Sequence, residues 1–308
     1  MTGYVAAMGG GMQALPPLLQ WQIERTDGEP CGAFRVQFAF EPEMLARLKL
    51  AARFYAEHEG RRVMTGVVDD VTVMMGKDGL LAELTGRSLA ALLLDTQVRA
   101  AEYQSAQLPD ILAQYVKPCG VTDIVAEAMP AVGSFVVETG YSCYQVLAGF
   151  CRHSADVLPR FDANGALILM RGGTGVQRVI RGGVVRAQYC FDRYGAAVRQ
   201  VLVNTRNGSQ KVAQNEEFLA MGGSGVRVAG VTGQKIRAAW RTAEQRLSDS
   251  WRNARTISLT LPGSFLAEPT DTVLVELPEL GVGGTFTVRS AVSSCDDSGA
   301  VCTLELRE

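Results

Sequence analysis

The chain has 308 residues, is 47% hydrophobic and 20% charged, and carries a formal net charge of −2. That length allows one large domain or two to three small ones around a real core, and the lack of a basic surplus argues against a binder that neutralises nucleic-acid phosphates. Seven cysteines with no CxxC pair, beside only two histidines, leave no ligand spacing for zinc.

The opening segment "MTGYVAAMGGGM" has no Lys or Arg and too short an apolar run for a signal peptide. No stretch of about 20 apolar residues follows, so no membrane insertion is expected. The cysteines then read as reduced and mostly buried in a protein that folds in cytosol; a Cys295–Cys302 bridge across a turn is the less favoured alternative. "QWQIER" and "AFRVQFAF" alternate apolar and polar residues, the period of half-buried strands. A short helix near Glu43–Leu48 precedes a further strand. A long strand runs to a turn at Gly76-Lys77-Asp78-Gly79, and a second runs from Leu80 to Gly86. Ser88 is placed to cap a short helix ending near Asp95.

Residues 101–173 mix the two periods. "LPDILAQYVKPCG" reads as helix, with Pro109 near its start and Lys117-Pro118 ending it. Ser142 and Gln145 form a capping-box pattern ahead of "YQVLAGFCRHSA". Asn164-Gly165 supplies the turn of a hairpin in "VLPRFDANGALILMR". Residues 174–308 return to strands: "GGVVRAQYCF", "AAVRQVLVNTR", "TISLTLPG", "DTVLVELPELGVGGTFTVRSAV" and "AVCTLELRE". Between them, the glycine-rich 221–234 reads as a loop that orders on contact with a neighbour. A helix over about Gln234–Ala254 places Ile236, Trp240, Ala243, Leu247 and Trp251 on one face, a core stripe. The blocks 1–100, 101–173 and 174–308 thus suggest a mainly β protein in which two related β domains, the second carrying the glycine-rich loop and the long helix, flank a small mixed α/β insert.

No catalytic constellation emerges, and no catalytic, cofactor-binding or metal residue is assigned. Asp69 and Asp70 are adjacent on a strand and so point to opposite faces, unlike two carboxylates that must converge. One solvated acid and one at a bulge or interface is the expected arrangement. The glycine clusters at 172–175, 222–225 and 230–235 lack phosphate-loop spacing, and no Gly-x-Ser-x-Gly elbow exists. His58 and His153 read as structural or solvated.

The stretch "RRVMTGVVDDVTVMMGKDGLLAELTGRSLAALLLD" resembles the late control D-like baseplate hub proteins of contractile phage tails and phage tail-like particles. Their pattern is matched by Thr65, Gly66, Val68 and Asp69, then Gly86 and Arg87, then Leu92 to Asp95. "YSCYQVLAGFCRHSADVLPRFDANGALILMR" is similar to the family's insert. "RTISLTLPGSFLAEPTDTVLVELPELGVGGTFTVRSAV" with "GAVCTLEL" is similar to its closing barrel.

The resemblance implies two similar β-barrels per subunit and a homotrimer whose six barrels form a pseudo-sixfold ring around a channel. Such a ring joins a sixfold tail tube, or its initiator, to a threefold central spike, and starts tube assembly. It also implies baseplate wedge proteins as neighbours and assembly in a bacterial host's cytoplasm into a virion or tail-like injection particle. Whether DNA passes through the channel is left open, and no specific binding of it is expected. The chain is short for the family, so a spike or cell-wall hydrolase is expected as a separate protein. A mean hydropathy of +0.07 suits surfaces that become buried on assembly. Two other readings stay open: a cell-wall hydrolase using Asp69, Asp70 or a glutamate, and a carbohydrate-binding β module.

Overall fold

The computed structural model describes residues 1–308 apart from 28, 78, 171–176, 205–207 and 232–235; the side chains of 177, 204, 231 and 236–242 also lie outside the description. The expected glycine cluster at 172–175 therefore falls outside the described residues, as do part of that at 230–235, Asp78 of the expected turn and the side chains of Ile236 and Trp240. The chain is mainly β and divides into two compact units. The first comprises Met1–Val176, Pro262–Asp271 and Arg289–Thr303, and the second Gln177–Leu261, Thr272–Val288 and Leu304–Glu308.

The first unit opens with β1 (Thr2–Ala6), β2 (Gln13–Ala14), β3 (Leu18–Thr26), β4 (Ala33–Ala39), the helical turn α1 (Leu45–Leu48), β5 (Arg53–His58), β6 (Arg61–Gly76) and β7 (Gly79–Ser88). These strands pair antiparallel in the order β3-β4-β7-β6-β5-β1-β2. Alternation decides which side chains enter: Phe34, Val36 and Phe38 of β4 are buried, while Arg35 between them is exposed. Val5 of β1 and Trp21 and Ile23 of β3 share one buried cluster although their strands lie far apart in that order. The sheet must therefore curl around its own core. Residues 290–295 pair antiparallel with β3, from Ser290 opposite Thr26 to Cys295 opposite Trp21. The expected third block is thus not one contiguous body, because this pairing draws part of it into the first unit.

The insert follows with α2 (Ala90–Leu94), β8 (Ala101–Ala106), α3 (Leu108–Ile111), β9 (Ile124–Ala126), β10 (Val132–Val137), α4 (Cys143–Ala155), β11 (Arg160–Phe161) and β12 (Leu167–Leu169). A π turn over Leu112–Val116 and a tighter one over Lys117–Cys119 extend α3. Leu93, Ile111, Phe135, Leu147, Phe150 and Leu167 anchor the insert's core. The capping box forms: Ser142 Oγ accepts from the Gln145 N–H at 3.1 Å, and the Ser142 N–H donates to Gln145 Oε1 at 2.7 Å. At the hairpin turn Asp162 Oδ1 accepts from the N–H groups of Asn164 and Ala166, and Gly165 takes φ +90°. Ser88, by contrast, does not cap α2. It remains paired as the last residue of β7, its N–H donating to Gly32 O and its hydroxyl meeting Cys31 Sγ, and Leu89 occupies the cap position.

The second unit contains β13 (Gln177–Ile180), β14 (Arg186–Phe191), β15 (Arg199–Asn204), β16 (Gln210–Gln214), α5 (Glu216–Ala220), β17 (Val226–Val231), α6 (Ile236–Ala254), β18 (Arg255–Pro262) and β19 (Thr272–Leu277). The long strands β20 (Val282–Asp296) and β21 (Gly299–Arg307) pass through both units. Ala243 and Leu247 of α6 pack with Ala197, Leu202 and Ala213, covering the sheet β16-β15-β17. Trp251 meets Phe191 edge-on at 5.9 Å and tilts over Phe218 at 5.2 Å. The expected loop 221–234 is corrected here. Residues 226–231 form β17, parallel to β15, because the backbone of this Val-rich stretch finds its partners in a sheet already built by β15 and β16.

Candidate functional site

The resembling residues of β6, β7 and α2 converge on one place. Phe34 of β4 lies opposite Gly86, Phe54 of β5 lies opposite Gly66, and the two rings stack at 4.2 Å. A Cβ at Gly86 would sit 2.0 Å from Val67 O and 2.5 Å from the Phe34 ring; at Gly66 it would sit 2.5 Å from Arg87 O. Both glycines are needed because the aromatic pair and the neighbouring strand occupy the space a side chain would take.

Two residues beyond Val67 the β6–β7 ladder slips. Val68 pairs with Gly86 and Asp70 with Thr85, so Asp69 is the extra residue of a bulge. The bulge delivers Asp69 to Arg87: Nε donates to Oδ2 at 2.7 Å and Nη2 to Oδ1 at 2.9 Å. Arg87 also reaches Asp95, just past α2, with Nη1 to Oδ1 at 3.0 Å and Nη2 to Oδ2 at 2.8 Å. One guanidinium thus grips two carboxylates, each through both oxygens. These hydrogen bonds raise the Arg87 pKa and hold the Asp95 carboxyl below its ordinary range. Asp69 and Asp95 are 29% and 59% exposed at the side chain, so each pair contributes at most about 1 kcal/mol.

Thr65, 6% exposed, ties the insert to this point. Its hydroxyl donates to Ala163 O at 2.9 Å, and the turn residue Gly165 approaches Thr65 and Leu89 so closely that a Cβ there would lie 2.7 Å from the Leu89 side chain. A cleft of about 270 Å³ opens beside it, lined among others by Arg25, Met64, Ser88, Arg160 and Asn164. The resembling sequence pattern is therefore a mechanical node of β-sheet, α2 and insert hairpin.

Its chemistry is that of a clamp. Both carboxylates of the node are bound to a cation. Asp70 is exposed, and the Thr85 hydroxyl approaches it at 3.5 Å. His58 stands 5.2 Å from the Phe265 ring, and His153 Nδ1 lies 2.6 Å from Gly149 O one helical turn back. Among the described residues no three His, Cys, Asp or Glu side chains gather as a metal site, and no helix is long and apolar enough to cross a membrane. Cys302 is buried against Ser293 Oγ at 3.6 Å, whereas Cys295 Sγ approaches Asp296 O; all seven cysteines are free. Sequence reasoning expected one acid of the pair at a bulge or interface without saying which, and missed the double grip of Arg87, an arginine on the strand paired with that of one acid and eight residues before the other.

No protein-family profile and no curated protein matches the chain. Solved structures do match. The tail protein from Neisseria meningitidis superposes with a TM-score of 0.81 at 18% identity, covering 100% of this chain and 96% of that one. A prophage tail protein from Shewanella oneidensis gives 0.78 at 17% identity, covering 99% and 97%. A component of the Escherichia coli type VI secretion system, described as structurally similar to the T4 bacteriophage tail proteins gp27 and gp5, gives 0.61 at 11% identity, covering 96% and 74%. The chain has the fold of phage tail proteins.

Proposed function

We propose that the chain is a structural baseplate hub subunit of a contractile phage tail or a related injection particle. Three copies form a pseudo-sixfold ring, each contributing two related β domains, and the ring joins a central spike to the tail tube and initiates tube assembly. The observation that carries this reading is the end-to-end correspondence with a tail protein, 100% of one chain against 96% of the other. The long β6–β7 hairpin adds support: Val73, Met75 and Leu80 are 39%, 85% and 38% exposed near its tip. Exposed apolar side chains at a hairpin tip suit burial against another chain.

The non-enzymatic part of the proposal rests on the node, where Arg87 engages Asp69, one of the acids that the hydrolase reading invokes. The test has two parts. Sedimentation and light scattering of the purified chain, with electron microscopy, should give a ring of three times 33.1 kDa; a monomer that stays single at tens of micromolar would overturn the hub. Replacing Asp69 and Asp70 with Asn should alter stability or assembly only. Cell-wall turnover by the native chain, lost in that variant, would restore the hydrolase.

A further inference from the structure

A second cleft, of about 310 Å³, lies within the insert and is lined among others by Thr96, Arg99, Gln114, Tyr115, Cys119 and Cys143. Two thiols open onto it from different elements. Cys119 is half-buried at the end of the turn that extends α3, its Sγ donating to Tyr115 O at 3.4 Å. Cys143 is the first residue of α4, 3% exposed, and its N–H donates to Thr96 O at 2.9 Å, which fixes its backbone. Cys119 and Cys143 line the same cleft; burial first, then the Cys119 thiol, pushes the Cys143 thiol up to about 12. The more accessible sulfur is thus the attacking one and the buried sulfur the resolving one.

We propose that Cys119 and Cys143 are a dithiol switch that closes to a disulfide when a low-molecular-weight disulfide enters the cleft. Cys119, as thiolate, attacks one sulfur of the small disulfide. That S–S bond breaks, one small thiolate leaves and takes up a proton, and a mixed disulfide remains on Cys119. Cys143 then gives up its proton, attacks the Cys119 sulfur and displaces the second small thiolate. The protein loses two electrons and two protons overall, and the small disulfide is reduced to two thiols. The bond would join the end of the α3 extension to the start of α4 and enclose β9 and β10 between them. Reducing cytosol keeps the pair open, and an oxidising exterior closes it. This inference does not depend on the tail reading.

The full chain, purified reduced, is incubated with glutathione disulfide, alkylated and peptide-mapped. The expected result is one internal disulfide linking the Cys119 and Cys143 peptides, with a mass loss of about 2 Da for that bond, and a higher melting temperature than under reductant. Cys143→Ser should retain glutathione on Cys119, whereas Cys119→Ser should leave Cys143 unmodified. The wild-type map decides the matter even where a variant fails to fold. Both thiols recovered alkylated, glutathione left unresolved on wild-type Cys119, or a linkage confined to other cysteines such as Cys295 and Cys302 would each overturn the proposal.

Discussion

Replacing Gly86 with Ala should destabilise the first unit severely. The new Cβ would stand 2.0 Å from Val67 O and about as close to the Phe34 ring, at 2.5 and 2.6 Å from its Cζ and Cε1. Phe34 is 3% exposed and stacked on Phe54, so moving the ring would disturb a packed core, and Val67 O belongs to the backbone of the paired strand. Overpacking a core costs about 1–3 kcal/mol, and a backbone obstacle places this case at the upper end, about 3 kcal/mol. For a folding unit of this size that corresponds to a fall of about 6–12 °C in Tm. Gly76→Ala is the control: among the described residues no atom lies within 4 Å of its Cβ position and its φ is ordinary, so it should stay within about 0.5 kcal/mol of wild type. Calorimetry and urea unfolding read both. In a Phe34→Leu background the Gly86→Ala cost should fall only in part, since Val67 O remains. A Gly86→Ala protein as stable as wild type, or complete relief by Phe34→Leu, would refute the argument.

Arg87→Lys should cost about 1 kcal/mol, because an ammonium cannot grip both carboxylates through paired oxygens, and the difference should shrink in high salt. The Asp95 carboxyl has a lowered folded pKa, so its contribution is present above the unfolded value of about 3.9 and lost as pH falls through the folded one. The stability gap between wild type and Asp95→Asn, followed by urea titration, should accordingly hold from neutral pH to about pH 5 and close in stronger acid. Thr65→Val should leave Ala163 O without its donor and cost about 1–2 kcal/mol, with faster hydrogen exchange across Arg160–Leu169 as the local readout.

Much of the fold was legible in the residues because its signals are local. Alternation in "AFRVQFAF" marked β4, Ser142 and Gln145 marked the start of α4, and Asn164-Gly165 marked the turn between β11 and β12. Where local signals conflict with pairing, the reading failed. Ser88 has a good capping side chain, yet its backbone is still held by Gly32. The glycines of 221–234 suggest a loop, yet β15 offers 226–231 a row of partners that outweighs their flexibility. The break between units could not be seen either, since β3 recruits residues 290–295 from the far end of the chain.

The candidate site divides the same way. Composition and the scarcity of histidine bear on its chemistry without any coordinates, and adjacency in a strand already separated Asp69 from Asp70. That Arg87 joins Asp69 to Asp95, that Gly66 and Gly86 yield their space to Phe34, and that Cys119 and Cys143 share one cleft were all decided by tertiary structure. Period and turn chemistry are properties of neighbours along the chain, whereas register, bulges and ring packing depend on which distant strand arrives alongside.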